Sequence, residues 1–351
     1  MTRVICPVVA ALLVALTTLT AAASDQPAES PSATTCRSVA SLETISLGWY
    51  DSHRCRHVPA KIYCPAAADT RLPVIVFSPG LGRTRHDCAY LGRYWAAHGY
   101  VSVFVQHRGS DAAVWQVQFR KKERLRAAFH SPGNIRNRPL DVSFAIDQLE
   151  RINREDTPLG RRLDLTRIGV AGHDFGAQTT LAIAGAMLPG GFTLADSRVK
   201  AVIAMSAPVS LGRVPLSAAY GKIDVPCLHI TGTNDDGIIG TTRAHQRRLP
   251  FDHISGTDQY LVTFRGADHL IYAGHLIKRL DTGSSACFRS PLQRSSTAFW
   301  DAYLKGDPAR RSWLSDGGLD ASLGWTARIE TKLHDNARAA ATVGRSRLDL
   351  P

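Results

Sequence analysis

The chain has 351 residues, enough for one large α/β domain but with little room for a second full one after an N-terminal leader is set aside. Its formal charge of +12 is spread along the chain, so it argues for solubility rather than for nucleic acid as a partner. No Cys-x-x-Cys pair, nucleotide-cradling loop or cofactor lysine occurs, and His269 and His275 do not share a helical face, so neither a metal nor a cofactor is expected.

Arg3, an apolar run over 4–19 and Ala21-Ala22-Ala23 read as the three regions of a signal peptide over residues 1–23. The protein is therefore expected to be secreted or periplasmic. No stable membrane insertion is expected, since a span needs about 20 apolar residues. Cys6 leaves with the leader, and Cys36, Cys55, Cys64, Cys88, Cys227 and Cys287 remain, for which one or more disulfides are expected. Cys227 lies in an apolar run where a buried free thiol is the plainer reading. Residues 24–35 are rich in Ser, Ala and Pro without a hydrophobic period and read as a flexible linker, which leaves a single domain over 36–351.

An edge region containing 45–50 and 58–63 opens that domain. Apolar strand-like runs follow at 74–78, 101–105, 168–171, 199–205, 227–231 and 260–264. Helical patterns fall at 90–98, 140–152, 178–187, 241–249 and 297–305. Arg120-Lys121-Lys122-Glu123-Arg124-Leu125-Arg126, between Phe119 and Phe129, reads as a solvated amphipathic helix. Strands alternating with helices imply a doubly wound, mostly parallel sheet with right-handed crossovers. Its ligands would bind beyond the carboxyl ends of the strands. The tail after Asp316 shows only a strand-like stretch around Trp325.

Three motifs fall at such ends. Gly172-His173-Asp174-Phe175-Gly176 joins a strand to a helix through a tight turn, which lifts its middle side chain above the sheet and aims the Phe175 N–H at an oxyanion position. A helix-capping Asp174 is the plainer alternative. Downstream come Asn234-Asp235-Asp236 after one strand and Gly266-Ala267-Asp268-His269 after the next, giving the order nucleophile, acid, histidine. His269 is the expected general base. Asp236 is the expected carboxylate behind it, because Ile238 and Ile239 follow as in a loop tucked beside the sheet, and Asp235 is its rival. Asp268 is expected to orient the loop. Upstream, Ser78-Pro79-Gly80-Leu81-Gly82 ends a strand in a turn whose Leu81 N–H would complete an oxyanion hole with that of Phe175.

These motifs, with Trp95-Ala96-Ala97-His98-Gly99-Tyr100, Asp141-Val142-Ser143-Phe144 and Ala298-Phe299-Trp300-Asp301, resemble α/β-hydrolases of the dienelactone hydrolase, platelet-activating-factor acetylhydrolase and polyester hydrolase lineage, over roughly residues 45–314. The resemblance implies an α/β-hydrolase fold, an Asp236–His269 pair, Leu81 and Phe175 as oxyanion donors, and an esterase with Ser or Cys at the elbow. Here the elbow carries Asp174, which resembles the haloalkane dehalogenases and epoxide hydrolases. Those enzymes insert a helical cap, whereas only about twenty residues separate Met205 from Cys227, so no large cap domain is expected.

A carboxylate attacking an acyl carbon forms an anhydride and expels an alkoxide poorly, whereas at an sp³ carbon it displaces a leaving group and forms an alkyl ester that water cleaves. Three functions follow for a small-molecule or polymer substrate: an alkyl-enzyme hydrolase of halides or epoxides, with Trp115, Tyr90 or Tyr272 as leaving-group donors; an ester or lactone hydrolase; or a secreted binding protein that kept the cleft without turnover.

Overall fold

The computed structural model describes residues 41–116, 119–209, 214–239, 242–272 and 284–334, the side chains of 284–286 excepted. The expected signal peptide and linker, with Cys36 and His275, lie outside the described residues.

Nine strands among the described residues form one sheet: β1 Leu42–Asp51, β2 Arg56–Pro65, β3 Leu72–Ser78, β4 Val101–Val105, β5 Leu163–His173, β6 Val199–Met205, β7 Cys227–Asn234, β8 Gln259–Asp268 and β9 Ala327–Lys332. Their order is β1-β2-β4-β3-β5-β6-β7-β8-β9. β1 and β2 form an antiparallel pair, and β2 runs antiparallel to β4. From β4 through β3, β5, β6 and β7 to β8 every pairing is parallel, and β9 returns antiparallel on β8. The helices are α1 Ala89–Ala97, α2 Lys121–His130, α3 Pro132–Arg154, α4 Phe175–Ile183, α5 Leu216–Tyr220, α6 Leu249–His253, α7 Ser284–Tyr303, α8 Pro308–Ser315 and α9 Gly318–Leu323.

Successive strand residues face opposite sides, and the central strands are covered on both, which is why they read as unbroken apolar runs. Val74 and Val76 join Val103, Val170 and Val202 in a core closed by Val142, Ile146 and Leu149 of α3 and Leu181 of α4. Ile75 and Phe77 turn the other way with Phe104, Ile203 and Ile230, where Leu91 and Trp95 of α1 and Phe299 and Trp300 of α7 cover them.

The doubly wound, mostly parallel sheet is as expected, and the differences lie at element ends. β5 starts at Leu163 rather than 168, because Leu163 and Asp164 pair with Leu72 and Pro73 before a register shift. The helix expected over 241–249 is a 3₁₀ turn, Ala244–Arg248, followed by α6, where Pro250 sits in the first turn. β9, starting just after Trp325, adds an antiparallel edge that the sequence pattern left undefined. Cys55, Cys64, Cys88 and Cys227 carry no disulfide, so the expected bridges do not form among these four; Cys227 is a buried thiol. Between β6 and β7 the described residues hold the five-residue α5 and no large cap. No helix among the described residues is long and apolar enough to cross a membrane.

Candidate active site

β5 ends at His173 and α4 begins at Phe175, leaving Asp174 in the turn with φ 54° and ψ −122°. Such a conformation costs a non-glycine residue about 1–3 kcal/mol and persists where its surroundings impose it. Here the Asp174 N–H donates to Met205 O at 3.0 Å, and the Asp174 carbonyl accepts from the Ala177 N–H at 2.8 Å. Only glycine fits at the flanks: a Cβ on Gly176 would stand 1.9 Å from Ser78 O, and one on Gly172 would stand 2.2 Å from Gly176 O.

The Asp174 side chain does not cap α4. Its Oδ2 accepts from the Leu81 N–H at 3.1 Å, so the turn after β3 supplies a donor where expected. Burial pushes the Asp174 pKa up, but His269, His173 and the N–H groups of Leu81 and Phe175 outweigh it and hold the carboxyl below its ordinary value. Asp174 is therefore an anion at neutral pH, with Oδ2 already held by the Leu81 N–H.

His269 follows β8 with its Nε2 3.7 Å from Asp174 Oδ1. Its Nδ1 lies 2.8 Å from Oδ1 of Asp235, not of Asp236. The expected Asp236 is exposed: its carboxylate accepts from the Ala244 N–H at 2.9 Å and pairs with Arg243 at 3.0 Å. Consecutive side chains leaving an extended strand point to opposite sides, so only one of the two carboxylates can turn inward. Asp235 is that one: its carboxylate accepts from Ser206 Oγ and from Thr231 Oγ1 at 2.9 Å and is ion-paired with Arg247 at 2.9 Å. Burial raises the Asp235 pKa, but the hydrogen bond from His269 and the charge of Arg247 bring it net below the ordinary value. Arg247 also brings a terminal nitrogen to 3.2 Å from His269 Nδ1, but the anionic Asp235 oxygen is nearer at 2.8 Å and favours a proton there, which leaves Nε2 unprotonated and facing Asp174. Asp268 accepts from the Leu270 N–H at 2.8 Å and so orients the loop.

The sequence reading missed a second buried network behind the two oxyanion donors. Arg138 of α3 donates through Nε to Thr179 Oγ1 at 2.9 Å, through one terminal nitrogen to Ser110 Oγ at 2.8 Å, and through the other to Ser78 Oγ at 3.2 Å and to Pro79 O. Its guanidinium also lies 4.3 Å from the centre of the Phe175 ring. One side chain thus ties the turn that carries Leu81 to the helix start that carries Phe175. Ser78 Oγ is 2.9 Å from His107 Nε2, and His107 Nδ1 is 2.9 Å from Asp141 Oδ2, which Arg54 and Arg56 also engage. This Ser-His-Asp chain is buried. Desolvation, then the charge of Arg138, push the His107 pKa down to about 3 and keep the ring neutral. The Arg138 and Asp141 positions carry a weak signal in sequence, one polar pair three apart on a helix.

Above Asp174 and His269 lies a cavity of about 120 Å³, lined among others by Leu81, Trp115, Leu125, Phe129, Ile238 and Ile239. Leu125 and Phe129 belong to the basic helix α2, whose inner edge therefore reaches the site, and Phe129 packs 5.0 Å from the Phe175 ring. Two of the three expected leaving-group donors are engaged elsewhere. Trp115 Nε1 donates to Gly82 O at 2.8 Å and Tyr90 Oη donates to Tyr272 O at 3.4 Å. Tyr272 is buried against the His173 ring. None of the three presents a donor to Asp174.

The antiparallel β2, the parallel run from β4 to β8, and an elbow, acid and histidine at the ends of β5, β7 and β8 define an α/β-hydrolase fold. Residues 54–148 match the family model for platelet-activating factor acetylhydrolase, isoform II. A platelet-activating factor acetylhydrolase of Cavia porcellus is 26% identical over 149 residues, which cover 35% of this chain and 34% of that protein. The chain thus spans about a third of the length of the curated relative it matches. The family-model match takes in the Leu81 turn and most of α3 but ends before Asp174.

Proposed function

We propose that this chain is a hydrolase whose site is the His269–Asp235 pair facing Asp174. The observation that carries the reading is His269, held through Nδ1 by buried Asp235 at 2.8 Å and presenting Nε2 3.7 Å from Asp174 Oδ1, beside the Leu81 N–H. Similarity to an acetylhydrolase favours a carboxylic ester as the bond cleaved, over a halide or epoxide. In this reading His269 Nε2 takes a proton from water, the hydroxide adds to the ester carbonyl, and the proton passes to the departing alkoxide. The ester oxygen then competes with Asp174 Oδ2 for the Leu81 N–H, so Asp174 restrains ester turnover.

The posture of Asp174 supports a second reading. With Oδ2 held by Leu81, Oδ1 is the free oxygen on the His269 side. Attack by Oδ1 on an sp³ carbon breaks the carbon–leaving-group bond and forms an alkyl ester whose carbonyl oxygen, Oδ2, already accepts from the Leu81 N–H. Water activated by His269 then cleaves that ester, releasing an alcohol and leaving one water oxygen in Asp174. The engagement of Trp115 and Tyr90 by backbone carbonyls weighs against halides as the leaving group.

A single turnover in oxygen-18 water, followed by mass spectrometry of the Asp174 peptide, separates the two. Ester turnover with an unlabelled carboxylate, raised in Asp174→Ser, is the result expected of the first reading. Label in Asp174 assigns the second. No turnover on esters, lactones, epoxides or halides by the native chain, with ester cleavage by Asp174→Ser, would overturn the hydrolase reading and leave a binding protein.

A further inference from the structure

Two arginines line the cavity above Asp174. Arg247 spends its guanidinium on the Asp235 carboxylate and backbone and on the Ser206 carbonyl. Arg83 is half-buried in the wall, and its side chain makes no hydrogen bond or ion pair among the described residues. It is also held in place by local structure: its backbone N–H donates to Gly80 O at 3.2 Å, in the turn that presents the Leu81 donor. The carboxylate among the lining residues is Asp174, already engaged by Leu81, and most of the remaining wall is apolar.

A guanidinium partly withdrawn from water beside apolar walls gains most from an anion whose oxygens match its fork of donors. We propose that Arg83 is an anion-binding subsite of this cavity, and that the substrate is a small apolar molecule carrying one anionic group, a carboxylate or a phosphate monoester. The word substrate rests on the hydrolase reading above, whereas the anion site itself does not. The apolar walls at Leu125, Phe129 and Ile239 take the carbon skeleton, and Arg83 fixes which end of the molecule lies at the rim.

The test is calorimetric binding to the full chain of three unreactive probes: butyrate, n-butyl phosphate and the neutral butyramide. Native protein is expected to bind at least one of the anions about tenfold more tightly than butyramide, the size of one charge-assisted contact. Arg83→Met, which keeps length and apolar bulk, is expected to abolish that preference while leaving butyramide binding and the melting temperature unchanged. Arg83→Lys keeps part of it. The tighter of the two anions identifies the group. Equal affinity for all three probes, a preference that survives Arg83→Met, or no binding by any of them overturns the proposal. These probes bind without reacting, so failure of the oxygen-18 experiment and failure of this one are separate results.

Discussion

At the scale of single residues, Asp235 and Asp236 differ by one position and by which way the side chain turns. Asp235 is buried among His269, Ser206, Thr231 and Arg247, while Asp236 faces solvent with Arg243. Asp235→Asn removes the charge that selects the His269 tautomer and leaves Arg247 without its carboxylate. Turnover of any accepted substrate is expected to fall at least about a hundredfold. Asp236→Asn is expected to change it less than about twofold. Steady-state kinetics of the two variants check this, and equal losses would contradict the partnership of Asp235 with His269.

At the scale of elements, the β5–α4 junction fixes where Asp174 stands, and glycine makes the junction possible. The helix start lies so close to the end of β3 that a methyl group at Gly176 would run into backbone, with Ser78 O and Pro79 O both within 2.8 Å. Gly176→Ala is expected to cost about 3 kcal/mol or to prevent folding, since backbone cannot yield as a side-chain tip can. Gly133, in the first turn of α3, has its nearest neighbour at 3.6 Å, and Gly133→Ala is expected to be neutral or mildly stabilising. Urea denaturation of the two variants is the measurement, and similar midpoints would contradict the packing argument. Arg138 works at the same scale, because a residue of α3 reaches two other elements and couples them.

For the whole molecule, the interior holds three histidines kept neutral chiefly by burial: His107 and His173 with pKa values pushed down to about 3, and His229 to about 4, from an ordinary value of 6.5. Above pH 6.5 neither the folded nor the unfolded chain protonates them, so they carry no penalty. Below it the unfolded chain takes up protons that the folded chain refuses, and stability falls as the pH drops from about 6.5 towards 4. Each group contributes up to about 1.4 kcal/mol per pH unit, and three together approach about 4 kcal/mol per unit. Urea unfolding between pH 7.5 and 5 is expected to show this slope, reduced by about a third in His229→Gln. A flat profile over that range would contradict it. The depressed carboxylates Asp174, Asp235 and Asp141 act in a lower window, below about pH 4, where the unfolded chain's carboxyls take up protons while the folded ones stay ionised, so stability falls further.

The sequence by itself determined the doubly wound sheet, the elbow at Asp174, the turn that offers Leu81 and the place of His269. Each is written locally, in short apolar runs separated by helical patterns, in glycines that a tight turn requires, or in residues that follow a strand end. Tertiary structure decided the rest. Which of Asp235 and Asp236 meets His269 depends on where Ser206 and Arg247 stand, residues of other elements with no sequence spacing to mark them. The engagement of Trp115 by Gly82, the Arg138 clamp and the lack of a partner for the Arg83 side chain among the described residues are likewise matters of what the fold brings within about 3 Å, the range over which hydrogen bonds form.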